Sequence, residues 1–234
     1  MRQVRESTAR LLLDVEEVGG QDARGPSLLP GWSRGHVLTH LARNGDALSR
    51  LLEGATRGEH PPMYDSDEGR DADIEAGAGR PADQLTQDVR DTAQRLDEAW
   101  KAMLPEHWDL PVRMRGGPVA AADTIIARWR EVEIHRVDLD LGYGPDEWPP
   151  AFCTLLLDTE TGAPLARRLP DGIAVTVHAI ETGGQWWAGE RDATQVAVHG
   201  PSWALACWLV GRPGPAVAAL KTEGGELPEL APWR

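Results

Sequence analysis

Apolar residues recur through the first part of the chain at the three-to-four-residue spacing of helices that pack on one another. Arg2–Val18 places Val4, Leu11, Val15 and Val18 at that spacing and predicts a first helix, ended by Gly19 and Gly20. In LLPGWSRGHVLTHLARNGDALSRLLEG, residues Val37, Leu38, Leu41, Leu48 and Leu52 supply the buried stripe of a second helix, with Ser33 as N-cap and Gly54 as stop. A third helix runs from Pro81 to Leu104, with Leu85, Val89, Thr92, Leu96 and Trp100 in register and Pro105 halting it. The fourth starts near Ala120 and carries IARWREVEIHRVDLDLG to Gly142. There Ile125, Trp129, Val132, Arg136 and Leu139 share one stripe, Glu131 and His135 stand on its flank, and Glu133 projects to roughly the side opposite that pair. Four long amphipathic segments by residue 142 predict an antiparallel four-helix bundle.

The second and third helices are joined by a stretch of different character. HPPMYDSDEGRDADIEAGAGRP is rich in Pro, Gly and Asp and longer than most bundle connections, so it reads as a lid-like loop or a short helix draped over a site. Its acidic residues lack the register of a calcium-binding loop. HWDLPVRMRGGPV reads as a loop or small hairpin. Beyond residue 142 the loop YGPDEWPPAF marks a boundary between a domain of residues 1–145 and one of 146–234. AFCTLLLDTE is helical, whereas GIAVTVHAIE alternates, with Ile173, Val175, Val177 and Ala179 on one face and His178 on the other. GQWWAGE and TQVAVHG are further short strands, and PSWALACWLVGR is a helix capped by Ser202. The fold class is therefore α+β, in two domains.

Charge narrows the partners. At −13 over 234 residues the chain is poorly suited to a nucleic-acid backbone or an anionic membrane, both of which reward positive charge. No apolar run is long enough to span a bilayer, and MRQVRESTARLLLDVEE lacks the uninterrupted apolar region of a secretory signal. Cys153 and Cys207 both sit in apolar runs without a CxxC partner; they read as core residues, and the cytoplasm is the expected compartment. A monomer is expected.

Candidate chemistry lies on the second and fourth helices. Glu131 and His135 are four positions apart, so they stand one above the other on the flank of the fourth helix. His40 lies on the flank of the second helix, with His36 one turn earlier. Across an antiparallel seam His40 can meet Glu131 and His135, a His-Glu-His set that leaves a cation one open position. Such a cation can acidify water or take a thiolate directly, and spacing alone does not choose between them.

At these residues the chain resembles the mycothiol-dependent maleylpyruvate isomerases of actinobacteria. The resemblance covers nearly the whole chain and is carried by LLPGWSRGHVLTHLARN, PPMYDSDEGRDADIEAG, WREVEIHRVDL, VAVHGPSWALACWLVGR and the GELPELAPW tail. It implies a DinB-like metal-binding bundle followed by an α+β domain similar to sterol-carrier proteins. It implies a divalent metal, expected to be zinc, on His40, Glu131 and His135, mycothiol as thiol cofactor, and a functional arginine at Arg212. The implied reaction is cis-to-trans isomerisation of maleylpyruvate to fumarylpyruvate in gentisate degradation, by reversible addition of a zinc-bound thiolate. Arg212 suits the negative charge that addition creates, because a guanidinium presents a planar donor face to an oxyanion or carboxylate. Tyr64 and Arg70, in the acidic connection, are candidates for substrate contact.

Three other activities fit parts of the pattern. A mycothiol S-transferase would use the same cofactor on another electrophile. A non-enzymatic metal- or thiol-binding protein would ordinarily offer cysteine ligands. A zinc hydrolase needs a base beside its water, and Asp138, one turn on from His135, is the obvious candidate.

Overall fold

The computed structural model describes residues 1–18, 23–212 and 214–233, and it divides into two compact units, Met1–Tyr143 and Gly144–Arg234. The Gly19–Gly20 stop and the Val18 side chain expected in the first helix lie outside what is described.

The first unit is built on four long helices: α1 (Arg2–Val18), α2 (Arg34–Thr56), α4 (Ala82–Ala102) and α5 (Asp123–Asp138). Packing runs chiefly between α2 and α4 and between α1 and α5. Their apolar stripes meet in one core containing Leu11, Val15, Val37, Leu38, Leu41, Leu85, Val89, Val132 and Leu139. Ser33 caps α2 as expected, but Gly54 does not stop it: the helix continues to Thr56. The glycine serves packing, because a Cβ there would lie 2.7 Å from Pro61 Cδ. The acidic connection takes the helical form, α3 (Asp67–Ala78), capped by Ser66 Oγ. Strands β1 (Pro111–Met114) and β2 (Gly117–Ala120) form the hairpin before α5.

Glu133 lies one turn from Trp129, on the side of α5 away from Glu131 and His135, and is 1% exposed. Ser7 Oγ and Tyr143 Oη both donate to its carboxylate, so α1 and the end of the unit cover that face with polar partners. The helix is buried almost all round, and periodicity cannot separate a solvated face from one covered by hydrogen-bonding neighbours.

The second unit holds α6 (Pro150–Glu160), α7 (Ala163–Ala166), β3 (Ile173–Ala179), β4 (Gln185–Ala188), β5 (Thr194–Gly200), α8 (Ser202–Leu209) and β6 (Lys221–Glu223). The sheet order is β4-β3-β5-β6, with β3 and β5 parallel and the outer strands antiparallel to them. Val175, Val177 and Ala179 face a core shared with Leu157, Leu165, Leu205 and Leu209, while His178 lies on the other face, stacked on His199. Both cysteines are buried, as expected. Ser202 is not the cap of α8: Pro201 holds that position, and Ser202 is the first helical residue, its N–H donating to Glu181 Oε1 at 2.7 Å. Among the described residues no helix is long and apolar enough to cross a membrane.

Candidate metal centre

His40 owes its position to the close approach of α2 and α3. A Cβ on Gly35 would lie 2.1 Å from Ala78 O, and one on Gly77 would lie 2.4 Å from Thr39 Cγ2. Two glycines thus let the helices touch at backbone distance and bring the α3 side chains over His40. Glu131 and His135 come from α5, one turn apart.

The three side chains converge. His40 Nε2 lies 2.8 Å from Glu131 Oε2, and His135 Nε2 lies 3.2 Å from the same oxygen. The two imidazoles meet edge to face with centroids 4.6 Å apart, and one ligand atom from each residue lies within 4.8 Å of the others. Among the described residues this is the only such group of three His, Cys, Asp or Glu side chains. His40 is 4% exposed, whereas the Glu131 carboxylate keeps a partly open side. His36 stands apart, with Nδ1 accepting from Ser33 N–H and Nε2 paired with Glu75.

The electrostatics suit a ligand set. Burial opposes ionisation of Glu131, but His40, together with hydrogen bonds from His135 and His40, outweighs it and holds the carboxyl well below its ordinary range. Burial lowers the pKa of His40, leaving a neutral imidazole. Burial also acts against charge on His135, yet its bonds to Asp138 and Glu131 raise its pKa. His135 Nδ1 lies 2.8 Å from Asp138 Oδ2, and that carboxylate is wholly buried. A carboxylate behind a histidine fixes which nitrogen carries the proton and turns the other outward, the usual support of a metal ligand. Two imidazoles and a carboxylate with this backing fit a borderline divalent cation. The same contact removes Asp138 as a candidate hydrolytic base, because it faces His135 from behind.

Tyr64 and Arg70 reach this centre. Arg70 Nη2 lies 3.2 Å from His40 Nδ1, and its guanidinium carbon stands 5.8 Å from the centre of the Tyr64 ring. Burial, then Glu131, raise the pKa of Tyr64, so the phenol keeps its proton as a donor. Arg212 belongs to the second unit, three residues beyond α8. Its Nη1 donates to Val210 O at 2.9 Å, and it lines a cavity of about 510 Å³ with Arg168, Trp208 and Trp233.

Arg128 is a member of the centre that the spacing did not reveal. It is 1% exposed, one turn before Glu131, and its Nη1 donates to Leu41 O and Asn44 Oδ1, both at 2.8 Å. Burial lowers its pKa to about 10, which still leaves a cation. The available signal was an arginine on the flank that carries Glu131, and such pairs are common on solvated helices.

A family described as "Mycothiol maleylpyruvate isomerase N-terminal domain" matches residues 4–140. A crystal structure titled as the mycothiol-dependent maleylpyruvate isomerase is similar over 99% of this chain and 95% of its own, with 27% identity and a TM-score of 0.90. A histidine-to-alanine mutant of that enzyme gives a TM-score of 0.89 at the same identity and coverage. No curated protein sequence matches.

Proposed function

This chain belongs to the mycothiol maleylpyruvate isomerase family, and from that premise we propose that it isomerises maleylpyruvate to fumarylpyruvate with mycothiol as thiol cofactor and zinc on His40, Glu131 and His135. The observation that carries this reading is the convergence of three ligand atoms from α2 and α5 within 4.8 Å. A divalent cation held there would stabilise the thiolate form of a thiol whose free pKa is about 8.5, and so supply a nucleophile near neutral pH.

The remaining work falls to the side chains. Rotation about the substrate's cis double bond is open only while a thiolate has added across it, and addition places negative charge on the conjugated carbonyl. His40 enters as a neutral imidazole, and Asp138 keeps the His135 ring turned toward the centre. Arg128 is a fixed, buried cation beside a centre whose own carboxylate is Glu131, and the Arg70 guanidinium stands next to His40. Once a divalent cation is bound, the region is positive inside an acidic protein, which favours a thiolate and an acid substrate together. Tyr64 donates a hydrogen bond from its retained phenol proton. Arg212 is proposed as the functional arginine that the family resemblance implies, a planar donor suited to a carboxylate or an oxyanion. Helix α3 covers the centre and limits water there. The cytoplasm, where thiols stay reduced, and the gentisate branch of aromatic degradation are the setting this reading implies.

The test is metal content per chain together with turnover. About one zinc per wild-type chain is expected, against a small fraction of that in His40→Ala. Full occupancy in His40→Ala would remove the triad from the reading. Conjugate that accumulates from mycothiol and an electrophile, without isomerisation, would assign the transferase activity instead.

A further inference from the structure

The two histidines of the triad differ in what stands behind them. His135 Nδ1 faces the Asp138 carboxylate at 2.8 Å, so Nδ1 can keep a proton while Nε2, 3.2 Å from Glu131 Oε2, turns a lone pair to a cation. His40 has the opposite arrangement, with Arg70 Nη2 3.2 Å from Nδ1. A guanidinium has donors and no acceptor, so this contact requires a lone pair on Nδ1. In a neutral imidazole the proton then sits on Nε2, which points at Glu131 Oε2, 2.8 Å away.

That state and a ligating His40 exclude each other. For Nε2 to bind a cation it must give up its proton and Nδ1 must take one, with no net change on the ring. The Nδ1–H would then face an Arg70 N–H, two donors with nothing between them to accept. Charge acts in the same direction, because a guanidinium beside the triad repels an incoming divalent cation.

Arg70 has somewhere to go. It lines a cavity of about 370 Å³ with Arg43, Arg50, Tyr64 and Asp73. Its second anchor is Asp71, 68% exposed, and a contact on that side is cheaply broken.

The geometry points to Arg70 as a displaceable arm that sits on His40 while the triad holds no cation, leaves when one binds, and then offers its guanidinium to a substrate carboxylate in the adjoining cavity. Arg70 is thus a positioning residue for the metal site and a specificity residue for the acid. The inference rests on the metal reading above.

Zinc affinity of the metal-free protein, measured by competition with a chromogenic chelator, tests it in wild type, Arg70→Met and Arg70→Lys. Arg70→Met is expected to bind zinc on the order of tenfold more tightly than wild type, and Arg70→Lys to fall between. Zinc-loaded Arg70→Met should show a KM for maleylpyruvate raised by about tenfold with a smaller change in kcat. Equal or weaker zinc binding by a normally melting Arg70→Met overturns the inference. So does a structure of the zinc-loaded wild type in which Arg70 Nη2 remains on His40 Nδ1, a result that does not depend on how any variant folds. Wild-type protein that binds no zinc would instead overturn the metal reading itself, and this inference with it.

Discussion

Asp138 and Arg70 back the two histidines in opposite senses, and substitutions behind the triad should differ accordingly. Asp138→Asn removes the charge that orients His135 and is expected to weaken zinc binding by about 10- to 100-fold in a chelator competition. Unchanged affinity would reduce Asp138 to a packing role. Arg70→Met should move affinity the other way. The ligands themselves were legible, because helical spacing puts Glu131 and His135 on one flank and His40 on a facing one. Their supports were not. Arg128, Glu133 and Asp138 are all 1% exposed or less, on a helix that a period-based reading treats as half solvated. A charged residue is recognised as buried only once the elements covering it are known, and those arrive from distant sequence: Leu41 and Asn44 for Arg128, Ser7 and Tyr143 for Glu133.

Among the elements, α3 gains most from the structure. Its low apolar content left a loop and a helix equally open in the sequence, and what seats it is the backbone contact made at Gly35 and Gly77. Gly35→Ala would force α3 off α2 and is expected to cost about 2 kcal/mol, read as a lower denaturant midpoint. Because α3 carries Arg70, the same variant should raise the KM for substrate; a wild-type KM at reduced stability would separate the helix from the site. Helix α8 shows a different limit of sequence reading. A serine ahead of an apolar run predicts a cap, but Pro201 takes that position and the Ser202 N–H donates to Glu181, across a sequence gap that no local pattern spans. Burial opposes ionisation of Glu181, yet its hydrogen bonds to Ser202 lower its pKa. The stabilisation is therefore present above the unfolded-state pKa and lost as pH falls through the lowered folded value. Glu181→Gln should cost about 0.5 kcal/mol at neutral pH, given its exposure to solvent, and should flatten that acid limb in thermal melts.

For the molecule as a whole, the sequence placed the division at residue 145 and the structure divides after Tyr143. Strand alternation showed which faces of β3 are buried, but not that β5 pairs with it in parallel, because alternation carries no information about strand order. A net charge of −13 describes the surface and hides the local balance at the triad, where Arg70 and Arg128 flank one carboxylate. Ligand binding to the folded state alone stabilises it, by about 2.7 kcal/mol at a hundredfold excess over Kd. Zinc should therefore raise the unfolding temperature of wild type, and chelator should reverse it, with no shift in His40→Ala. The most direct test of the whole assignment is the rate of maleylpyruvate isomerisation by purified protein with mycothiol, stripped of metal and then reconstituted with zinc. Turnover is expected to vanish on stripping and to return in proportion to zinc bound, up to one per chain. Undiminished isomerisation by the stripped protein, or by the zinc form without any thiol, would contradict it.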